Sequence, residues 1–508
     1  MTLPTIDVPA AIDPRRRAGH VMIGTTDSLC PDCLHASPWR VEVVPAKIVV
    51  RGRCVYFRKR CPFHGEREDF VCSDVAWWDR IEGQTPSVLP VTRSTDHRRG
   101  CPLDCGLCPD HEQHTCVGLV ELTDRCNLSC PMCFASSGPG GRDHSFDSIV
   151  ASLDRLVAVE GRAEVVQLSG GEPTLHPRFR DVVDAALDRP IDYVMVNTNG
   201  IRLAKDPALV AFLGERRQRV EVYFQWDGDD AATNRRIRGE DAAAVKRAAL
   251  DVLSAAGVNV TLVSTLAAPL PTDFYRSLWD EALSRDNVVG LSLQPATYSG
   301  RTVAPEDLET RVTFPDVIGG LADASEGMVA RSDFTPLPCA HPNCHQILFA
   351  ARDGRRIAPI DPTGQMDLIA GGISFTPERA AAAVRAFLNR GGGCGSDCGC
   401  GPGDGRTASL SSDRQSPHGS GDGQPAGAPP MVRELFAKVL AGTATSRDML
   451  RVTITSFLDA YNFDVRQVMK CCTHHVLPSG HVIPFCAYNT LYRPGHVPLP
   501  PIAAERPQ

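Results

Sequence analysis

The sequence predicts an α/β protein built round an open, partial (βα)6 version of the eight-fold barrel, with a small metal-binding domain before it and a cysteine-bearing region after it. Three observations carry this. Strand-like and helix-like segments alternate from residue 117 to about 300, the pattern of parallel strands joined by right-handed crossovers. The chain has 508 residues, 43% of them hydrophobic, which suits several domains and a sizeable core. It also holds 20 cysteines with no export signal before them, which favours metal ligation over a disulfide framework.

Cysteine placement orders the elements. Residues 1–25 read as a flexible tail. Residues 26–100 read as a rubredoxin-like or zinc-ribbon-like domain, with β segments at Arg40–Arg51 and Cys54–Arg60. A cysteine knot occupies 101–116, and the barrel runs from 117 to 315. Its six strands are Val117–Thr123, Glu164–Leu168, Tyr193–Asn197, Val220–Trp226, Val258–Thr265 and Val288–Gln294. Between them lie helical stretches at Phe146–Val159, Phe179–Leu187 and near 206–214, 240–256 and 273–284. Residues 316–401 form an extension with cluster ligands and a helix at Pro377–Leu388. Residues 402–430, rich in Gly, Ser, Pro and Asp, read as a disordered linker. A cluster-binding and capping region fills 431–508.

Charge and hydropathy remove whole classes. With 53 Lys+Arg against 60 Asp+Glu the formal charge is −7, which argues against a general nucleic-acid binder. No run approaches the ~18–20 apolar residues of a membrane span. A cytoplasmic metal protein is expected, with peripheral contact at the inner membrane face as the limit of any membrane role.

In parallel α/β barrels chemistry gathers at the carboxyl ends of the strands. Strand one ends in Cys126-Asn-Leu-Ser-Cys130-Pro-Met-Cys133-Phe134. Three thiolates on a tight loop can hold three irons of a [4Fe–4S] cubane and leave the fourth iron open to a small molecule, against a structural zinc or closed-cluster loop as the competing reading. Strand two ends in Gly170-Gly171-Glu172-Pro173, where two glycines let a ligand approach the backbone and Glu172 offers a carboxylate to an amine. Asn197 and Asn199 close strand three, Gln225 and Asp227 strand four, and Gln294 strand six. A plain strand-end or turn role competes evenly with a binding role for each of these last five.

The other cysteines fall into further sets. Cys30-Pro-Asp-Cys33 and Cys61-Pro-Phe-His64 make two knuckles for one mononuclear zinc or iron, with Cys54 and Cys72 as alternatives to His64. Cys101, Cys105 and Cys108 repeat the x3/x2 spacing and predict an auxiliary cluster, with Cys116 the nearest fourth ligand. Cys339, Cys344, Cys472 and Cys486 are assigned to a second auxiliary cluster. Cys394, Cys398 and Cys400 sit in a Gly-rich run, where redox activity competes with loose metal binding or no role, the last two together ahead.

The Cys126–Cys133 loop followed by Gly170–Pro173 resembles the radical S-adenosylmethionine (SAM) superfamily over roughly residues 117–300. That resemblance implies that Cys126, Cys130 and Cys133 hold the catalytic cluster, that SAM chelates its open iron, and that Gly170–Pro173 contacts the SAM amine. It further implies a 5′-deoxyadenosyl radical that abstracts hydrogen from an unactivated carbon, and a low-potential donor such as ferredoxin or flavodoxin. The N-terminal knuckles, Cys101-Pro-Leu-Asp-Cys-Gly-Leu-Cys108, Tyr223–Gly228, Arg238-Gly239 and the Cys339 and Cys486 segments look closest to the tetraether lipid synthase family. This implies C–C bond formation on lipid chains. Two departures stand out: Leu266–Asp273 lacks the expected Gly-Asn-Asp-type turn, and the 402–430 insertion is foreign to the family. The alternatives are radical methylation of a pterin-like or other heterocycle and, from another class, a non-catalytic iron–sulfur electron carrier.

Overall fold

The computed structural model describes residues 19–80, 88–361 and 428–502. The predicted helix Pro377–Leu388, the linker 402–430 up to residue 427, the first 18 residues of the tail, and Cys394, Cys398 and Cys400 lie outside the described residues.

The first domain is a four-stranded antiparallel sheet of β1 (Val21–Leu29), β2 (Val43–Arg51), β3 (Cys54–Cys61) and β4 (Gly65–Cys72), in that spatial order. It is pinned to the rest of the chain by a buried ammonium. Lys59 Nζ pairs with Asp69 at 2.9 Å and donates to the carbonyls of Leu29, Ala460 and Tyr461. Thr26 Oγ1 donates to Asp464 at 2.6 Å across the same junction. Buried charges with a full set of partners fix a docking geometry even where their net energy is small.

The second sheet has twelve strands, and its heart is parallel. The six predicted strands appear as β5 (Val117–Thr123), β6 (Ala163–Gly170), β7 (Ile191–Thr198), β8 (Val220–Gln225), β9 (Asn259–Leu266) and β10 (Val288–Pro295), each paired in parallel with the next. Helices Phe146–Glu160, Phe179–Leu187, Pro207–Glu215, Ala243–Ala255 and Phe274–Ser284 form the crossovers. Outward-facing Val194, Val196, Val222 and Phe224 pack on them in one continuous core.

The barrel extends further than the periodicity predicts. The short β11 (Thr335–Pro336) leads into β12 (His345–Asp353) and β13 (Arg356–Pro359). Then β14 (Met449–Thr455) pairs in parallel with β10, and β15 (Thr473–Val476) pairs in parallel with β5, with β16 (Val482–Pro484) beyond it. Eight strands therefore run parallel, from β15 through β5–β10 to β14. Antiparallel β12 and β16 flank them on the two sides.

Candidate active site

The interior of the parallel barrel is not filled by side chains. A cavity of ≈ 330 Å³ runs along it, from Cys126, Cys130 and Cys133 at the carboxyl ends of the strands to Glu221, Met449 and Cys472 towards the amino ends. Alternation along the strands makes its wall. On β8, Glu221, Tyr223 and Gln225 line the cavity while Val220, Val222 and Phe224 are buried on the outside.

The cysteine loop hangs from the end of β5 and is braced from three directions. Arg301 Nε donates to the Cys130 carbonyl at 2.9 Å, and the Arg301 N–H to that of Cys133 at 3.0 Å. Gly239, after helix Ala231–Arg238, lies against Ser129. The turn after β6 supplies the third brace: the Glu172 N–H donates to the Arg125 carbonyl at 2.9 Å and the Gly171 N–H to Thr123 at 2.6 Å. A Cβ on Gly171 would stand 2.2 Å from the Arg125 oxygen. The glycine pair thus admits the backbone of the cysteine loop itself, a closer neighbour than the ligand its composition suggests.

The three thiols fit an iron–sulfur ligand set. All line the same end of the cavity, and burial pushes Cys126 up to about 12 and raises Cys130. Thiols so placed lose their protons to a bound cation and otherwise stay neutral. Cys126 Sγ accepts from the Leu128 N–H at 3.4 Å and from Asn199 Nδ2 at 3.9 Å, donors that favour a thiolate.

Most of the other predicted residues meet in this wall. Phe134, Gly170, Gly171, Glu172, Asn197, Asn199, Gln225 and Gln294 all line the cavity. Glu172 is 1% exposed, and its carboxylate accepts from Thr174, Thr198 and the Asn199 N–H. Burial nonetheless raises its pKa. A polar ladder runs on: Asn197 Nδ2 donates to Ser169, Gln225 Nε2 to Asn197, and Arg238 to Gln225.

Two expected residues stand apart from the wall: Pro173 only opens a single helical turn, and Asp227 faces away from the cavity. Asp227 is buried behind Arg238, whose guanidinium it binds at 2.6 and 2.8 Å, and Lys246 Nζ lies 3.5 Å from it. A carboxylate so deeply buried requires cations around it. Arg238, noted in the sequence only as part of a family motif and given no site role there, lines the cavity beside Cys130. Glu221, Thr261 and Arg451 were missed altogether. Their signal is a polar residue on the lumen-facing register of a barrel strand.

The remaining cysteines regroup. Cys30, Cys33, Cys61 and His64 come together with all donor atoms within 4.8 Å, Cys33–Cys61 at 3.6 Å and His64 3.3–3.7 Å from the three sulfurs. These are close to the edges of a tetrahedron with zinc–sulfur bonds of ~2.3 Å and zinc–nitrogen bonds of ~2.0 Å. Cys54 and Cys72 instead bond to the carbonyls of Ser73 and Asp74. Cys101 and Cys105 lie 3.9 Å apart, and the charges bearing on Cys105 are those of Cys101, Cys108 and Cys471. Cys116 does not join them. Its backbone N–H donates to the Cys472 carbonyl where β5 and β15 begin, and its sulfur falls within 4.8 Å of Cys339 and Cys472. Parallel pairing of two strands remote in sequence sets this neighbourhood. Half-buried Cys344 and buried Cys486 fall outside that triad, and the Cys486 sulfur accepts from the Leu458 N–H.

A parallel barrel with a three-cysteine loop over its open end, fronted by a tetrahedral cysteine–histidine ribbon, defines a class. Residues 120–280 match the Radical SAM superfamily and residues 22–73 match the HMPTM N-terminal zinc ribbon domain. The chain is a radical SAM enzyme, with a [4Fe–4S] cluster and SAM as its cofactors, a zinc ribbon and a further cysteine triad.

Along almost its whole length it is similar to the 7,8-dihydro-6-hydroxymethylpterin dimethyltransferase of Methanocaldococcus jannaschii. The two are 28% identical over 509 residues, covering 92% of this chain and 94% of that one. The mycofactocin maturase MftC of Mycobacterium ulcerans is 36% identical over 150 residues, 29% of this chain and 38% of its own. Among solved structures, SuiB of Streptococcus suis bound to its precursor peptide SuiA superimposes with a TM-score of 0.35 at 15% identity, over 43% of this chain and 47% of that one. Among the described residues no helix is long and apolar enough to cross a membrane.

Proposed function

We propose that this chain is a radical SAM methyltransferase acting on a pterin-like heterocycle. The observation that carries the proposal is the end-to-end similarity to a pterin dimethyltransferase, which spans ribbon, barrel and cysteine-rich C-terminal region alike. This favours methylation over the lipid coupling that the sequence resemblance suggested. The polar half of the cavity supports it: Asn197, Tyr223, Gln225 and Gln294 offer hydrogen bonds that a lipid tail has no use for. Lipid coupling stays as a second reading because the same cavity is also lined by apolar Leu119, Ile347, Phe349 and Phe457.

Cys126, Cys130 and Cys133 would hold the cluster, which together with SAM would supply the radical chemistry. The chain's own part is placement and shelter. Gly170, Gly171 and Glu172 fix the cysteine loop against the strand ends. Arg238, held by Asp227, sets a cation beside Cys130. Phe134, Phe485 and Phe457 pack ring on ring at the cavity edge and keep water from the reacting carbon. A low-potential ferredoxin or flavodoxin is the proposed electron donor.

The test is anaerobic turnover with SAM, a strong reductant and either 6-hydroxymethyl-7,8-dihydropterin or extracted membrane lipids. The reading expects methylated pterin by mass spectrometry and 5′-deoxyadenosine formation that rises with pterin. Deoxyadenosine stimulated by lipid alone, with unchanged pterin, overturns it.

A further inference from the structure

The part of the cavity remote from the cysteine loop is built, and nothing above gives it a task. Glu221 lies four residues before Gln225 on β8, about 13 Å deeper at ~3.3 Å per residue. It is 2% exposed and lines the cavity. Arg451 reaches it from β14, although β10 and β9 lie between. The pairing register explains how. Arg451 stands opposite Gly290 on β10, and Gly290 opposite Thr261 on β9.

Gly290 has an ordinary backbone conformation, so its lack of a side chain serves space. A Cβ there would fall 2.4 Å from Thr261 Oγ1. The Thr261 side chain takes that space, and its hydroxyl donates to Glu221 Oε1 at 2.5 Å, while an Arg451 terminal nitrogen donates to Glu221 Oε1 at 3.1 Å and to Thr261 Oγ1 at 3.2 Å. These bonds use one carboxylate oxygen and one guanidinium nitrogen. Among the described residues no hydrogen bond uses the second oxygen or the other two nitrogens.

A cross-barrel brace needs only what is already bonded. We infer that Glu221 and Arg451 form the floor of the substrate site and read the edge of a 2-amino-4-oxopyrimidine ring. Glu221 accepts from the ring N–H and the 2-amino group, and Arg451 donates to the 4-oxo group. Charge-assisted donor and acceptor pairs in a dry site give the strongest discrimination available to neutral heterocycles. With that edge on the floor, the other end of the bicycle points up the cavity, past Tyr223 and Gln225, towards the cysteine loop. The inference rests on the pterin reading and names the residues that give it specificity.

The test is the dissociation constant of the anaerobically reconstituted full-length enzyme for two probes. These are 6-hydroxymethyl-7,8-dihydropterin and its 2-oxo lumazine counterpart, which puts an acceptor where the pterin has a donor. Wild type is expected to prefer the pterin. Glu221→Gln should weaken pterin binding about 10- to 150-fold, the range for a charged hydrogen bond, and erase the preference.

Iron content checks that the variant is folded. If Glu221→Gln fails that check, Gly290→Ala decides, since it leaves both charges in place and displaces the Thr261 hydroxyl; the same loss of preference is expected. Pterin affinity and preference unchanged in a fully loaded variant make the pair a brace only, overturning the inference and leaving the pterin reading intact. A wild type that binds neither probe removes the pterin reading and the inference with it.

Discussion

Replacing Gly171 with alanine tests how the catalytic loop is seated. The new Cβ would lie 2.2 Å from the Arg125 carbonyl oxygen and 2.6 Å from its carbon, both backbone atoms that no rotamer change can move aside. Ordinary contact begins near 3.4 Å, so the loop has to retreat by about 1 Å. That retreat breaks the hydrogen bond from the Glu172 N–H to Arg125, worth about 1 kcal/mol, and adds overpacking of about 1–3 kcal/mol. Cys126 is the next residue, and a shift of about 1 Å at a reacting centre costs on the order of 10²-fold in rate. The assay is iron per chain and the rate of 5′-deoxyadenosine formation with saturating SAM and reductant. Gly140→Ala is the control, because a Cβ there meets nothing within 4 Å. Full iron loading with an unchanged rate in Gly171→Ala would refute the idea that this glycine exists to admit the cysteine loop.

Other perturbations reach the remaining sites. Cys33→Ser should remove the ribbon's metal and lower the melting temperature of the whole enzyme, because Lys59 ties that domain to Ala460 and Tyr461; metal analysis with anaerobic melting checks both. Cys116→Ser should match Cys472→Ser in iron content and paramagnetic spectrum and differ from Cys105→Ser; the opposite grouping would return Cys116 to the Cys101 set. Lys246 carries a pH signature, since burial pushes its ammonium down to about 8 despite Asp227 nearby. The folded chain then binds fewer protons than the unfolded one between about 8 and the ordinary lysine value, so stability rises with pH across that window. From pH 8 to 9.5 the gain is about 1.5 kcal/mol, and Lys246→Met should abolish it in anaerobic melts.

Much of this was legible because it is local. Cys126, Cys130 and Cys133 announce themselves by spacing, and the knuckles at Cys30 and Cys61 do the same. Strands β5–β10 show as apolar runs of the right length between helices. What escaped depends on contacts between distant segments. The four residues of β15 are too few for any periodicity, yet their parallel pairing with β5 carries Cys472 to Cys116 and sets a grouping that linear proximity gets wrong. Asp227 sits at a strand end like a ligand, but whether such a residue faces the lumen or the helices depends on where its cations lie, and Arg238 and Lys246 hold it away from the lumen. Gly290 reads as a weakness in a strand until the Thr261 hydroxyl that fills its place, bonded to both Glu221 and Arg451, is seen.

The late arrival of β14 and β15 sets an order of biogenesis. The Cys126–Cys133 loop and the six strands beneath it have all left the ribosome before the halves of the cavity wall made by β14 and β15 are synthesised. The loop is made while the flank of the barrel is still open. The Cys116 set waits for Cys472, and the Glu221 floor for Arg451. A polypeptide that stalls in between would carry the cysteine loop with no completed chamber beside it. Withholding the closing strands until last makes a completed fold the condition for a confined radical.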